Sequence, residues 1–152
     1  MAFDGSYESG LAFLGAVDMA RAVGGSVDLV AVAVPPAVVG HGVSVDRDLQ
    51  EAIEAELRGQ LDEAIAAVPD DVPAEGAVLR GEPVRRLVEA AADSDILMVG
   101  SRGYGPLRRT LLGSVAGALV RSARCPVLVY PRGTQSSTSS GGRRGVGVTG
   151  GP

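Results

Sequence analysis

Short apolar runs alternate with longer amphipathic ones along this chain, and that alternation limits it to a few folds. Met1-Ala2-Phe3 runs into the turn and helix-start signal Asp4-Gly5-Ser6, and a helical stretch over residues 6–23 stops at Gly24-Gly25. Residues 27–34 form a β-branched run closed by Pro35-Pro36. A loop through His41 leads into a helix over residues 45–68, with Leu49, Ile53, Leu57, Leu61 and Ile65 on one apolar stripe, and Pro69-Asp70-Asp71 breaks it. A weaker strand over residues 74–79 ends near Gly81, and Pro83 suits the first turn of a helix reaching residue 92. A strand over residues 96–100, a glycine- and arginine-bearing loop, a helix over residues 114–123 and a last strand, Val127–Tyr130, complete the pattern. Nine alternating elements, strand first, predict an α/β fold: a five-stranded parallel open sheet with helices on both faces and right-handed crossovers. In such sheets ligands bind beyond the carboxyl ends of the strands, where the loops after Phe3, Val34 and Gly100 are expected to converge.

Composition narrows the chemistry. Aromatic residues make up 3% and hydrophobic residues 45%, so the core must be aliphatic, as suits a covered parallel sheet. A net charge of −4 argues against nucleic acid or an anionic membrane as partner. Every basic residue is arginine, a bias put down to GC-rich codons, and the lack of lysine excludes a Gly-Lys-Ser/Thr phosphate loop and Schiff-base chemistry. A single cysteine, Cys125, excludes an intrachain disulfide and a cysteine-based zinc cluster and reads as a small core residue; a single histidine, His41, leaves no His-rich metal site. No apolar run is long enough to span a membrane and no leader pattern opens the chain, so a soluble, cytoplasmic protein is expected. Residues 1–131 read as one domain, and residues 132–152, rich in Gly, Ser, Thr and Arg, as a disordered tail.

Against the acidic background, residues 99–115 stand out: a strand end, glycines at 100, 103, 105 and 113, and arginines at 102, 108 and 109, closing on Gly113-Ser114 at a helix start. Glycine lets backbone approach a ligand closely, and amides at a helix amino end attract anions, so this is a phosphate-friendly loop. Ordinary turn glycines and a solvated arginine face are the plain alternatives, as helix capping is for Asp4 and Ser114.

The spacing Gly100-x2-Gly103-x9-Gly113-Ser114 resembles the nucleotide-binding signature of universal stress proteins, and the resemblance runs nearly to Pro131. Asp4-Gly5-Ser6, Gly81-x-Pro83 and Arg124-Cys125-Pro126-Val127-Leu128-Val129 are similar to that family's first-strand motif, third-helix entry and last strand. The resemblance implies a Rossmann-like fold, akin to the adenine nucleotide α-hydrolases, holding ATP without a phosphate loop of the lysine type. It implies that Asp4 and the backbone near Ala2 face adenine or ribose and that Val32 contacts adenine. Val99, Gly100, Arg102 and Gly103 would wrap ribose and phosphates, while Gly113, Ser114 and Val115 supply amides and a hydroxyl. Any Mg2+ would arrive on the phosphates, since the loop offers no acidic cluster. The resemblance also implies a homodimer through Val127–Tyr130.

Two other functions fit the same residues: a slow ATPase or adenine-nucleotide hydrolase, and a nucleotide-free dimeric scaffold. The first lacks an acid between residues 96 and 115 to serve as general base. The second draws on a first strand of three residues, short for a central strand, which a misassigned start or a trimmed chain accounts for.

Overall fold

The computed structural model describes residues 1–34, 47–101 and 112–131. Helix α1 spans Tyr7–Val23, β1 Val27–Ala33, α2 Arg47–Ala66, β2 Ala74–Arg80, α3 Pro83–Ala90, β3 Leu97–Gly100, α4 Ser114–Ser122 and β4 Val127–Tyr130. The expected order of elements is present from α1 onward, with ends displaced by one or two residues, whereas residues 1–3 do not form the expected first strand. His41, the loop arginines at 102, 108 and 109, Gly103, Gly105 and the expected tail lie outside the described residues.

Local chemistry sets the helix ends. The Ser6 hydroxyl accepts from the Ser9 amide at the head of α1, and Gly24, at φ 69°, closes α1 by donating its N–H to the Ala20 carbonyl. That left-handed turn is the conformation glycine adopts at no steric cost. At α3 the Glu82 carboxylate accepts from the Val84 and Arg85 amides, ahead of Pro83 in the first turn.

Of the expected five-stranded parallel sheet the described residues show two parallel pairs. β1 pairs with β2 from Val27↔Ala74 to Ala33↔Arg80, and β3 pairs with β4 from Leu97↔Val127 to Gly100↔Tyr130. Residues 1–3 run between β1 and β3. The Phe3 N–H donates to the Val30 carbonyl at 2.8 Å, the Val30 N–H to the Met1 carbonyl at 2.9 Å, and the Ala2 N–H to the Met98 carbonyl at 2.9 Å. A single parallel bridge, Ala2↔Val30, results. Three residues supply too few backbone groups to form a ladder of their own.

Helices cover both faces of the strands. On one side Phe13, Ala16, Val17 and Ala20 of α1 and Leu61 of α2 meet Val27, Leu29, Ala31 and Met98. On the other, Leu87 of α3 with Ala116 and Leu119 of α4 meet Ala2, Leu97 and Val99. Odd residues of β1 face the first cluster and even ones the second, the period-two alternation of a strand covered on both sides. Cys125 packs half-buried against the second cluster, as its place beside Pro126 suggests.

The α2 stripe departs from expectation. Leu61 is buried, whereas Leu49 is 48% exposed, and Ile53 faces a cleft rather than the core. Residues four apart overshoot a helical turn by about 40°, so a run with that spacing winds around the helix, and its carboxyl half, Leu57, Leu61 and Ile65, is the part that packs on the core.

Ion pairs tie elements at the rim. Arg80 on β2 donates to Glu54 on α2 at 2.8 Å, and Arg21 on α1 donates to Asp71 at 2.8 Å through both nitrogens. The hydrogen bond from Arg80, then that from Gln50, holds the Glu54 carboxyl below the usual carboxylate range. A carboxyl so lowered favours the fold above its unfolded pKa, and the benefit disappears as pH falls through the folded value. Arg80→Ala is therefore expected to lower the melting temperature slightly near neutrality, as suits an exposed ion pair, and the difference from the parent is expected to shrink as pH falls from about 5 to about 3. Equal acid sensitivity in variant and parent would exclude this contribution.

Candidate functional site

A cleft of about 480 Å3 opens where the carboxyl ends of β1 and β3 meet the amino ends of α3 and α4. It gathers Ala2, Asp4, Val32, Val99, Gly100, Gly113, Ser114 and Val115 into one lining. These come from four separate stretches of sequence, so the fold alone brings them together. Arg102 and Gly103, singled out with them, lie outside the described residues.

Each wall has a local cause. In β1 the odd residues bond β2, beginning with the Val27 N–H to the Pro73 carbonyl, so the even residues present their N–H and C=O to the opposite edge. Val30 is engaged there by Met1 and Phe3. Val32, two residues further along, carries a donor and an acceptor side by side past the end of residues 1–3 and into the cleft. Val99 is buried in the second core cluster beneath the cleft floor, and Gly100 ends β3 at its edge.

Helix α4 begins at Ser114 with Gly113 as its N-cap, and no side chain caps it. The first amides of a helix lack intrahelical partners and carry the positive end of its dipole. Here they meet the cleft, and the exposed Ser114 hydroxyl is not used as a cap. Gly113, not Ser114, is the N-cap residue of α4.

Asp4 also differs from a simple cap. Ser6 caps α1, and one Asp4 carboxylate oxygen accepts from both the Ser6 amide, at 3.0 Å, and the Ser6 hydroxyl. Asp4 thereby fixes the turn that leads from the cleft into α1. The first turn of that helix carries Glu8, 5% exposed, and Ser9, 2% exposed, whose hydroxyl donates to the Ser6 carbonyl. A β-carbon at Gly100 would stand 2.6 Å from the Glu8 carbonyl carbon and 2.7 Å from the Ser9 nitrogen. Only glycine allows α1 and β3 to approach this closely.

Several lining residues escaped the sequence reading: Ser9, Ile53 and Leu57 of α2, and Pro83 and Leu87 of α3. The four-residue spacing of Ile53–Leu57 and Pro83–Leu87 marks a shared helix face in each pair but not the cleft it faces. Their aliphatic side chains make an apolar slot opposite Val32, suited to a flat ring, while the uncapped α4 terminus suits an anion. Among the described residues no group of three or more His, Cys, Asp or Glu side chains is placed to hold a metal ion, and no helix is long and apolar enough to cross a membrane.

Comparison with known proteins identifies the family and the fold. The family model described as "Universal stress protein family" matches residues 1–131. A universal stress protein of Mycobacterium tuberculosis is 36% identical over 126 residues, which are 83% of this chain and 45% of that protein. The chain thus spans less than half the length of such curated relatives. Among solved structures, a universal stress protein family member from Burkholderia pseudomallei is 26% identical with a TM-score of 0.67, covering 86% of this chain and 92% of that one. A universal stress protein solved in complex with cAMP is 28% identical with a TM-score of 0.58, covering 85% of this chain and 91% of that one.

Proposed function

Since this chain belongs to the universal stress protein family, we propose that it is a nucleotide-binding member that holds ATP in the cleft between β1, β3 and α4. The observation that carries the reading is the uncapped amino end of α4, which faces the same cleft as the backbone of Val32. An adenine edge offers a ring-nitrogen acceptor beside an amino donor, matching the N–H and C=O of Val32; a guanine edge reverses that order. Ala2, Asp4 and Val99 line the space for the nucleoside. Gly100, Gly113, Ser114 and Val115 meet the phosphates, joined by Arg102 and Gly103 of the loop, and Mg2+ accompanies the phosphates. Residues 1–3 serve as a rudimentary central strand that makes one five-stranded sheet of the two pairs. The domain ends at residue 131, and a tail follows. Two copies associate through β4, whose outer edge has no partner strand among the described residues. Binding of a cellular adenine nucleotide goes with a place in the cytoplasm.

Titration calorimetry with ATP, ADP, AMP and GTP tests the reading. ATP is expected to bind more tightly than GTP, and Ser114→Ala to weaken ATP about tenfold, the worth of one hydrogen bond to a charged group. Absence of heat with millimolar ATP, together with no nucleotide released on denaturing protein purified from cells, would refute it.

A further inference from the structure

Among the described residues one buried side-chain polar atom lacks a hydrogen-bond partner: the amide oxygen of Gln50, in the first turn of α2. An unpaired buried acceptor costs more than a typical hydrogen bond contributes, so this oxygen is a group that a ligand can satisfy. Its orientation is fixed from the other end of the amide. Gln50 Nε2 donates to Glu54 Oε1 at 2.9 Å, and Arg80 Nη2 donates to Glu54 Oε2 at 2.8 Å. The hydrogen bonds from Arg80 and then Gln50 lower the pKa of that carboxyl, which keeps it ionised at neutral pH. An ionised carboxylate only accepts, so the amide cannot turn over without setting two oxygens against each other. Oxygen, not nitrogen, is the end left for a ligand.

The helix places Gln50 at the mouth of the cleft. Gln50, Ile53 and Leu57 fall within an arc of about 60° on α2, and Ile53 and Leu57 line the cleft. Leu61 shares the first core cluster with Leu29 and Ala31, while Glu54 meets Arg80, which is level with Ala33 at the end of β1. Helix α2 therefore runs back along the strands, and Gln50 stands one turn beyond Ile53, outside their carboxyl ends. On the strand side, the Val32 carbonyl follows its N–H along β1. An adenine paired to both sets its amino group toward Val34, which lines the cleft just past the end of β1. That amino group carries two hydrogens, and the Val32 carbonyl engages one of them.

We propose that Gln50 is a specificity-determining residue: its amide oxygen accepts the second hydrogen of the bound base's 6-amino group and so selects an unsubstituted 6-aminopurine. The assignment rests on the cleft holding ATP. Val32 alone distinguishes adenine from guanine but tolerates a substituent on the far side of the amino group. Gln50 closes that side. A 6-oxo group would bring a second acceptor against its oxygen, and an alkylated amino group would bring a carbon where a hydrogen is needed. Discrimination of this kind is large because the rejected base leaves a buried polar group unpaired.

Titration calorimetry of the 152-residue chain and of its Gln50→Ala variant tests this with ATP, 6-N-methyl-ATP and 7-deaza-ATP. The parent is expected to bind ATP at least about tenfold more tightly than 6-N-methyl-ATP, whose one remaining hydrogen serves Val32. In Gln50→Ala the acceptor is gone and the methyl group has room, so the ratio of the two affinities is expected to shrink about tenfold. Comparing one ratio in two proteins cancels the methyl group's own preference for one side of the ring. 7-Deaza-ATP keeps the amino group and loses the neighbouring ring nitrogen, and is expected to match ATP in the parent within about threefold. A ratio unchanged by Gln50→Ala, with ATP still bound, overturns the role of Gln50 and leaves the nucleotide site standing. A loss with 7-deaza-ATP as large as that with 6-N-methyl-ATP overturns it too, since the amide would then donate to the ring. No binding of ATP to the parent overturns both readings.

Discussion

Gly100→Ala is expected to cost about 2–3 kcal/mol, the upper part of the range for overpacking a well-filled contact. The added methyl would meet backbone atoms of Glu8 and Ser9 at 2.6 and 2.7 Å, with the Glu8 β-carbon 2.9 Å away. None of these can rotate aside, so α1 must lift from β3, and the two share a core. At roughly 3 °C per kcal/mol for a chain of this size, the melting temperature should fall by about 6–9 °C. Nucleotide affinity should fall as well, because the same shift carries Gly100 and the Asp4–Ser6 turn away from Val32 across the cleft. Gly59→Ala supplies the contrast. It sits within α2 with nothing within 4 Å of a new β-carbon, so alanine there is expected to stabilise by up to about 1 kcal/mol through helix propensity. Thermal denaturation of both variants, with and without ATP, reads the two signs; a Gly100→Ala protein with parental stability would disprove the close approach.

Leu119→Ala should have the second large effect. Leu119 has no exposed surface and joins α4 to Ala2, Leu97 and Val99 in the second core cluster. Removing a buried leucine side chain costs about 2–5 kcal/mol, part lost transfer energy and part the cavity left behind. The loss bears on function too, because Leu119 anchors the helix whose first amides open on the cleft. ATP affinity is therefore expected to weaken although Leu119 does not line the cleft. Its neighbour Val120, 51% exposed, is the control, and Val120→Ala should stay within about 0.5 kcal/mol of the parent. Chemical denaturation gives both values, and a Leu119→Ala protein that loses less than about 1 kcal/mol would mean that α4 is not anchored through this side chain.

The sequence by itself determined what is local. The order of helices and strands follows from hydrophobic periods, and the Ser6 cap, the Gly24 stop and the Pro83 entry follow from backbone preferences of single residues. The start of α4 at Ser114 behind Gly113 was legible for the same reason, since a helix amino end without a side-chain cap is encoded in a few adjacent positions. Tertiary structure alone decided whatever depends on two distant segments meeting. It set Ile53, Leu57, Pro83 and Leu87 across the cleft from Val32, buried Glu8 under Gly100, and turned Leu49 to solvent although it shares the spacing of the buried Leu61. It also divided the strands into two pairs joined at Ala2, because how far a central strand extends depends on the backbone groups that lie opposite it. Periodicity tells which side of an element is apolar, but the surface which that side meets is settled only when the whole chain packs.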